Sequence, residues 1–74
     1  MSGHLDAQGL KCPLPVLRAR KAIKALEIGG ELIVRATDPA APKDFTAFCE
    51  QAGHELVSNT ESDGVFTFVL RRGR

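Results

Sequence analysis

Cys12 stands in the stretch Gly9-Leu10-Lys11-Cys12-Pro13-Leu14-Pro15, a thiol followed by two prolines with one residue between them. A cysteine acts as a nucleophile through its thiolate, so its use depends on access and on the charges around it. The apolar periodicity of a helix begins only after Cys12, which argues for an exposed sulfur at a helix N-terminus; cysteine is not a favoured N-cap. The helix dipole contributes about 0.3–1 kcal/mol to an anion there, against about 1.4 kcal/mol per pKa unit. The expectation is a thiol lowered by less than one unit, with Lys11 and Arg18 adding to the effect if close. Pro13 and Pro15 carry no N–H, leaving only Leu14 and Val16 to donate to a thiolate here. The prolines fix their own φ and press Cys12 and Leu14 toward extended geometry. The expected result is a mildly activated sulfur on a stiff pedestal, with no pocket around it. A partner must then supply the pocket.

Competing chemistries fall short on residue type. Cys12 and Arg18 have the C-x5-R spacing of cysteine phosphatases, but those sites wrap an oxyanion in successive backbone N–H groups. Two of the five intervening residues here are proline and none is glycine. Two cysteines and the scattered His4 and His54 make no zinc spacing, so no metal is expected. No phosphate-binding glycine loop and no Ser-His-Asp arrangement occurs, and no cofactor is expected. Cys49 lies four residues after Phe45 on an apolar helical stripe and reads as a core residue.

The elements that position Cys12 follow from periodicity. Leu5 to Gln8 alternates as a short strand ended by Gly9. After Cys12 a helix runs to about Leu26, with Val16, Ala19, Ile23 and Leu26 on one stripe and Arg18, Arg20, Lys21 and Lys24 opposite. Gly29-Gly30 ends it. Glu31 to Thr37 is a strand whose apolar run predicts burial on both faces or a central place. Asp38 as N-cap and Pro39 at the first position open a second helix, with Pro42 as a later alternative start. Phe45, Phe48, Cys49 and Ala52 form its stripe, and Gly53 stops it. Leu56 to Asn59 is a third strand, Asp63-Gly64 a turn, and Val65 to Leu70 a fourth strand with Phe66, Phe68 and Leu70 on one face. The order β-α-β-α-β-β predicts an α/β (α+β) two-layer sandwich: a four-stranded mixed sheet with two helices on one face. The 74 residues form one domain with its core over about 5–70, and residues 1–3 and 71–74 are expected to be flexible.

Net charge is only +1, yet Lys11, Arg18, Arg20, Lys21 and Lys24 occur with no acid between them, and Arg71, Arg72 and Arg74 close the chain. Where helix and tail meet, one side of the molecule is basic, either as a solvated face or as a partner-docking patch. Nucleic-acid binding is not expected, because exposed aromatics for stacking are missing and the phenylalanines sit on core stripes. No apolar run suggests a signal peptide or a membrane span, so a reducing cytoplasm and a free thiol are expected. A monomer is expected.

Leu5-Asp6, Gly9-Leu10, Cys12-Pro13 and Pro15 together resemble the signature of the TusA (SirA-like) sulfur-carrier family. The likeness continues through Asp38-Pro39-Ala40, Phe48-Cys49 and Gly53-His54-Glu55-Leu56, covering essentially residues 5–70. The resemblance implies that Cys12 carries sulfane sulfur as a persulfide, covalently and without a separate cofactor. It implies a donor, a cysteine desulfurase or rhodanese-like protein, and an acceptor protein, with Gly9, Pro13 and Pro15 supporting the motif. Family members feed tRNA 2-thiolation, sulfur oxidation or molybdenum-cofactor-related traffic. Leu14 departs from many tRNA-linked members, where an acid often stands between the prolines, and leaves a sulfur-oxidation branch open. The alternative is a redox-responsive interaction module with Cys12 as sensor thiol.

Overall fold

In the computed structural model, which describes residues 2–74, six elements follow one another. They are β1 (Ser2–Ala7), α1 (Leu14–Lys24), β2 (Glu31–Ala36), α2 (Ala41–Ala52), β3 (Glu55–Ser62) and β4 (Val65–Arg71). The sheet order is β1-β2-β4-β3; β1 and β2 are parallel, and β4 runs antiparallel to both its neighbours. The α/β two-layer arrangement read from periodicity is the one observed. Because β1, β2 and β3 share one direction, each helix runs back between parallel strands, and α1 and α2 point the same way. Their N-termini therefore meet at one end of the molecule and their C-termini at the other.

Period-two alternation selects the core. Leu32, Val34 and Ala36 of β2 are buried with Ala7, Phe68 and Leu70, beneath Ala19 and Ile23 of α1 and Phe45, Phe48 and Cys49 of α2. Strand β2 is central, but only one of its faces is covered. Ile33 is half-buried and Arg35 exposed, so the expectation of burial on both faces does not hold. The apolar run reflects a central place in the sheet.

Several boundaries move for identifiable reasons. Strand β1 begins at Ser2, and Ser2 and Gly3 pair with β2, so they are not the loose ends expected; Met1 lies outside the described residues. Strand β3 is longer than expected, with a bulge between Leu56 and Ser58, because β4 offers it a full-length partner. Helix α1 ends at Lys24, short of Leu26. There the Arg72 guanidinium donates to the Lys24 and Leu26 carbonyls, completing the helix end with a cation. Helix α2 starts at Ala41 with Pro42 in its first turn, the later of the two expected starts. Asp38 is not its side-chain cap, having been drawn to the loop that holds Cys12. Gly53, at φ 78°, supplies the left-handed residue that closes α2.

The C-terminal residues are tied down where flexibility was expected. Gly29 donates to the Arg72 carbonyl at 2.8 Å and Arg72 donates back to Gly30 at 2.9 Å. Gly73 donates to His54 Nδ1 at 3.0 Å. Arg71 pairs with Glu31 and Glu55 across three strands, exposed ion pairs each worth about 0–1 kcal/mol. A Cβ at Gly73 would overlap the Gly53 carbonyl oxygen. Gly73→Ala is therefore expected to displace the tail at a cost of about 1–3 kcal/mol, the range for forcing extra volume into a packed contact. Urea denaturation beside the parent chain checks this, and an unchanged midpoint refutes it.

Candidate functional site

Gly9, at φ 79°, turns the chain out of β1 and donates its N–H to the Thr37 hydroxyl at 2.9 Å. The loop then carries Cys12 to the N-terminus of α1, beside the N-terminus of α2. Cys12 is exposed and reduced, and Pro13 and Pro15 flank the first helical residue. The Leu14 N–H, one of the two donors assigned to a thiolate, is instead held by the Lys11 carbonyl at 2.9 Å. The Cys12 N–H itself donates to Asp38 Oδ2 at 2.9 Å. The pedestal is thus stiffened by a carboxylate from the β2–α2 loop as well as by the prolines.

The charges facing the sulfur overturn the expectation of mild activation. The Cys12 thiol is pushed up, chiefly by its hydrogen bond to the Asp44 carboxylate, then by desolvation and the negative charges of Asp44 and Asp38. Both acids occupy the place where a helix-terminus anion would sit. They take for themselves the field of the paired N-termini. Their carboxylate charge outweighs a dipole effect of less than one pKa unit. Neither Lys11 nor Arg18 lines the groove that holds the sulfur. Lys11 lies instead on the outer side of the loop with Pro39 and Asp38, and Arg18 on the outer side of α1 near Leu5.

Nor is the sulfur without surroundings. A groove of about 200 Å³ between the helices is lined by Cys12, Val16, Arg20, Asp44, Phe48 and Gln51. Arg20, Phe48 and Gln51 also line a larger hollow of about 390 Å³ that continues to Lys24, His54 and Arg74. Of the five basic residues proposed for docking, Arg20 and Lys24 thus face the tail and the groove, whereas Arg18 and Lys21 face the opposite side of α1. Basic helix and basic tail do meet, at the C-terminal ends of the helices. Cys49 is 3% exposed, with burial raising its thiol to about 11, which confirms it as core.

The ligating atoms of Cys12, Asp38 and Asp44 lie within 4.8 Å of one another, the combination here that most resembles a cation site. Each is already engaged with the others, Asp38 with the Cys12 N–H and Asp44 with the thiol hydrogen. The arrangement accounts for a protonated, held thiol without any ion. Asp44 is not singled out by the sequence, and Asp38 is singled out there only as a helix cap and as part of the family likeness, not as a neighbour of the thiol. The available signal was an acid in the first turn of α2, meaningful only once the two helices are known to start side by side.

Comparison with known proteins shows the family and the fold. Residues 4–72 match the family model described as Sulfurtransferase TusA. The chain is 57% identical over 70 residues to a candidate sulfur carrier protein of Neisseria meningitidis serogroup B, covering 95% of each chain. It is 50% identical over 69 residues to the sulfur carrier protein TusA of Allochromatium vinosum, covering 93% of this chain and 91% of that one. The crystal structure of a SirA-like protein from Desulfitobacterium hafniense superposes with a TM-score of 0.84 at 31% identity, covering 97% of this chain and 99% of that one.

Proposed function

Because the chain belongs to the sulfurtransferase TusA family, we propose that Cys12 is the residue on which it accepts sulfane sulfur from a donor protein and passes it to an acceptor protein. The observation that carries this reading is the contrast between the two cysteines. Cys12 is exposed at the open end of a groove, and Cys49 is sealed in the core. In loading, the Cys12 thiolate attacks the outer sulfur of a donor persulfide. The donor S–S bond breaks, the donor cysteine leaves as a thiolate, and Cys12 holds the persulfide. In unloading, an acceptor thiolate attacks that outer sulfur and Cys12 departs as the thiolate. The sulfane sulfur keeps its oxidation state, so no oxidant, reductant or cofactor is consumed.

The structure suits a carrier better than a self-sufficient catalyst. Asp38 and Asp44 hold the thiol pKa up, and the Asp44 carboxylate that accepts the thiol hydrogen also opposes the thiolate left behind. A cysteine desulfurase or a rhodanese-like protein fits the role of donor, since both present sulfur on an accessible cysteine. The acceptor leads to tRNA 2-thiolation, to sulfur oxidation or to other sulfur trafficking. No helix is long and apolar enough to cross a membrane.

The test is loading by a cysteine desulfurase with isotopically labelled cysteine, read by intact mass. One added sulfur is expected on the native chain and none on Cys12→Ser. Equal labelling of the two chains would refute the assignment, as would an unlabelled native chain after trials with desulfurase and rhodanese donors.

A further inference from the structure

The mechanism above uses one end of the inter-helix groove and leaves the other unexplained. That far end gathers Arg20, Lys24, Arg74 and the ring of His54 around a hollow of about 390 Å³ floored by Phe48. It is a built feature. Arg74 lies across Gly53, where even a methyl group would come within 2.8 Å of its side chain, so the left-handed glycine makes room for the guanidinium. Gly73 is held against Gly53 and donates to His54 Nδ1, which leaves Nε2–H as the imidazole's free donor. The Arg20 guanidinium lies 5.7 Å from the Phe48 ring centre, which holds it over the groove. The ion pairs among the described residues belong to Arg71 alone. Arg20, Lys24 and Arg74 take no part in any of those side-chain ion pairs.

Helix-dipole complementarity explains one cation at a helix C-terminus, and Lys24 in the last turn of α1 serves it. It does not explain Arg20, one turn earlier, or an arginine brought in from the tail. The two hollows share Arg20, Phe48 and Gln51, so they form one channel leading from the cations to Cys12. From Leu14 at the start of α1, beside Cys12, the helix rises about 9 Å to Arg20 and about 15 Å to Lys24, so the cations stand about 12 Å from the sulfur end on average. At about 3.3 Å per residue, an extended peptide covers that distance in three to four residues. The larger hollow alone far exceeds the volume of a small oxyanion, so an extended acidic peptide fits the channel better.

We infer that the α1–α2 groove receives an extended acidic segment of a sulfur-exchanging partner protein, with the segment's carboxylates on Arg20, Lys24 and Arg74 and its cysteine, three to four residues away, at Cys12. The inference rests on Cys12 being the exchanging thiol and adds what guides a partner to it. The acids around Cys12 sharpen the register. Asp38 and Asp44 repel a carboxylate at the sulfur end, while the cations attract one at the other. A segment is therefore held in one placement along the groove.

Thiol–disulfide exchange tests this without any sulfane sulfur. Short peptides carry one cysteine, activated as the mixed disulfide with thionitrobenzoate, and a pair of aspartates three to four residues to either side. Cys12 thiolate attacks the peptide sulfur, a Cys12–peptide disulfide forms, and coloured thionitrobenzoate leaves. The aspartate peptide is expected to react about tenfold faster than its lysine counterpart at low salt, within the range of electrostatic steering, with the advantage falling as salt rises. Arg20→Glu with Lys24→Glu should abolish the preference, and Arg18→Glu with Lys21→Glu should retain it. Equal rates for the two peptides on the native chain overturn the inference. Equal loss in both double variants also overturns it, since that outcome means a diffuse field. A chain that shows the preference yet never loads sulfur keeps the groove and refutes only the carrier assignment.

Discussion

Phe45→Ala is expected to remove about 3–5 kcal/mol of folding stability, the usual cost of emptying a buried phenylalanine site. Phe45 is fully buried and stacks on Phe68 with ring centres 4.6 Å apart and planes 27° from parallel, joining α2 to the middle of the sheet. A domain of this length holds on the order of 4–11 kcal/mol in total. The variant thus loses roughly half its stability or more. With about 1 kcal/mol per molar urea for so small a chain, its midpoint should fall by about 3–5 M. Leu17→Ala is the control, since Leu17 is 48% exposed and its loss should stay within about 0.5 kcal/mol. A loss below about 1 kcal/mol at Phe45 contradicts the packing described. The consequence reaches the sulfur as well, because Asp44 precedes Phe45 on the same helix turn, and a loosened α2 releases the acid from Cys12.

The fold was legible where a periodic pattern meets a strong punctuator. Gly53 after the Phe45-Phe48-Cys49 stripe ended α2 correctly, and Asp63-Gly64 marked the turn between β3 and β4. It was less legible where a distant segment decides a boundary. Arg72 determines where α1 stops, and β4 determines how far β3 extends; neither is local to the sequence it shapes. The candidate site divides in the same way. Cys12 and the proline frame were evident from residue type, because few structural duties call for an exposed cysteine at that place. The electrostatics were not, since Asp38 lies 26 residues away in the chain and Asp44 comes near only because the two helices start together. The dipole of α1 alone therefore gives the wrong sign for the shift of the Cys12 thiol. The basic residues show the same limit. Four of them look alike on a helical projection, and only the return of the tail separates Arg20 and Lys24 from Arg18 and Lys21.

Asp44→Asn is expected to move the pH profile of Cys12 reactivity to lower pH, so that the thiol exchanges faster at pH 7 with a small neutral disulfide. Its hydrogen bond with the thiol is the leading cause of the raised Cys12 pKa, and its charge adds to the effect. An amide removes that charge and offers an N–H to the thiolate, so the ionised form is favoured. Below the pKa, each unit of displacement raises the thiolate fraction about tenfold. The less basic thiolate is also a weaker nucleophile, with a sensitivity of about 0.4–0.5, so the net gain is about threefold per unit. Asp38→Asn should act in the same direction but less, since Asp38 contributes only through its charge, the smallest of the causes. Cys49 adds no background, being buried with a thiol near 11. The same substitution makes Cys12 a better leaving group, so a loaded chain should lose sulfur to a small thiol sooner. On the proposed assignment of Cys12, Asp44 is a restraint that keeps cargo on the carrier until a partner arrives. A profile that stays in place, or moves to higher pH, removes that role and leaves Asp44 as an acid in the first turn of α2 that complements the helix dipole.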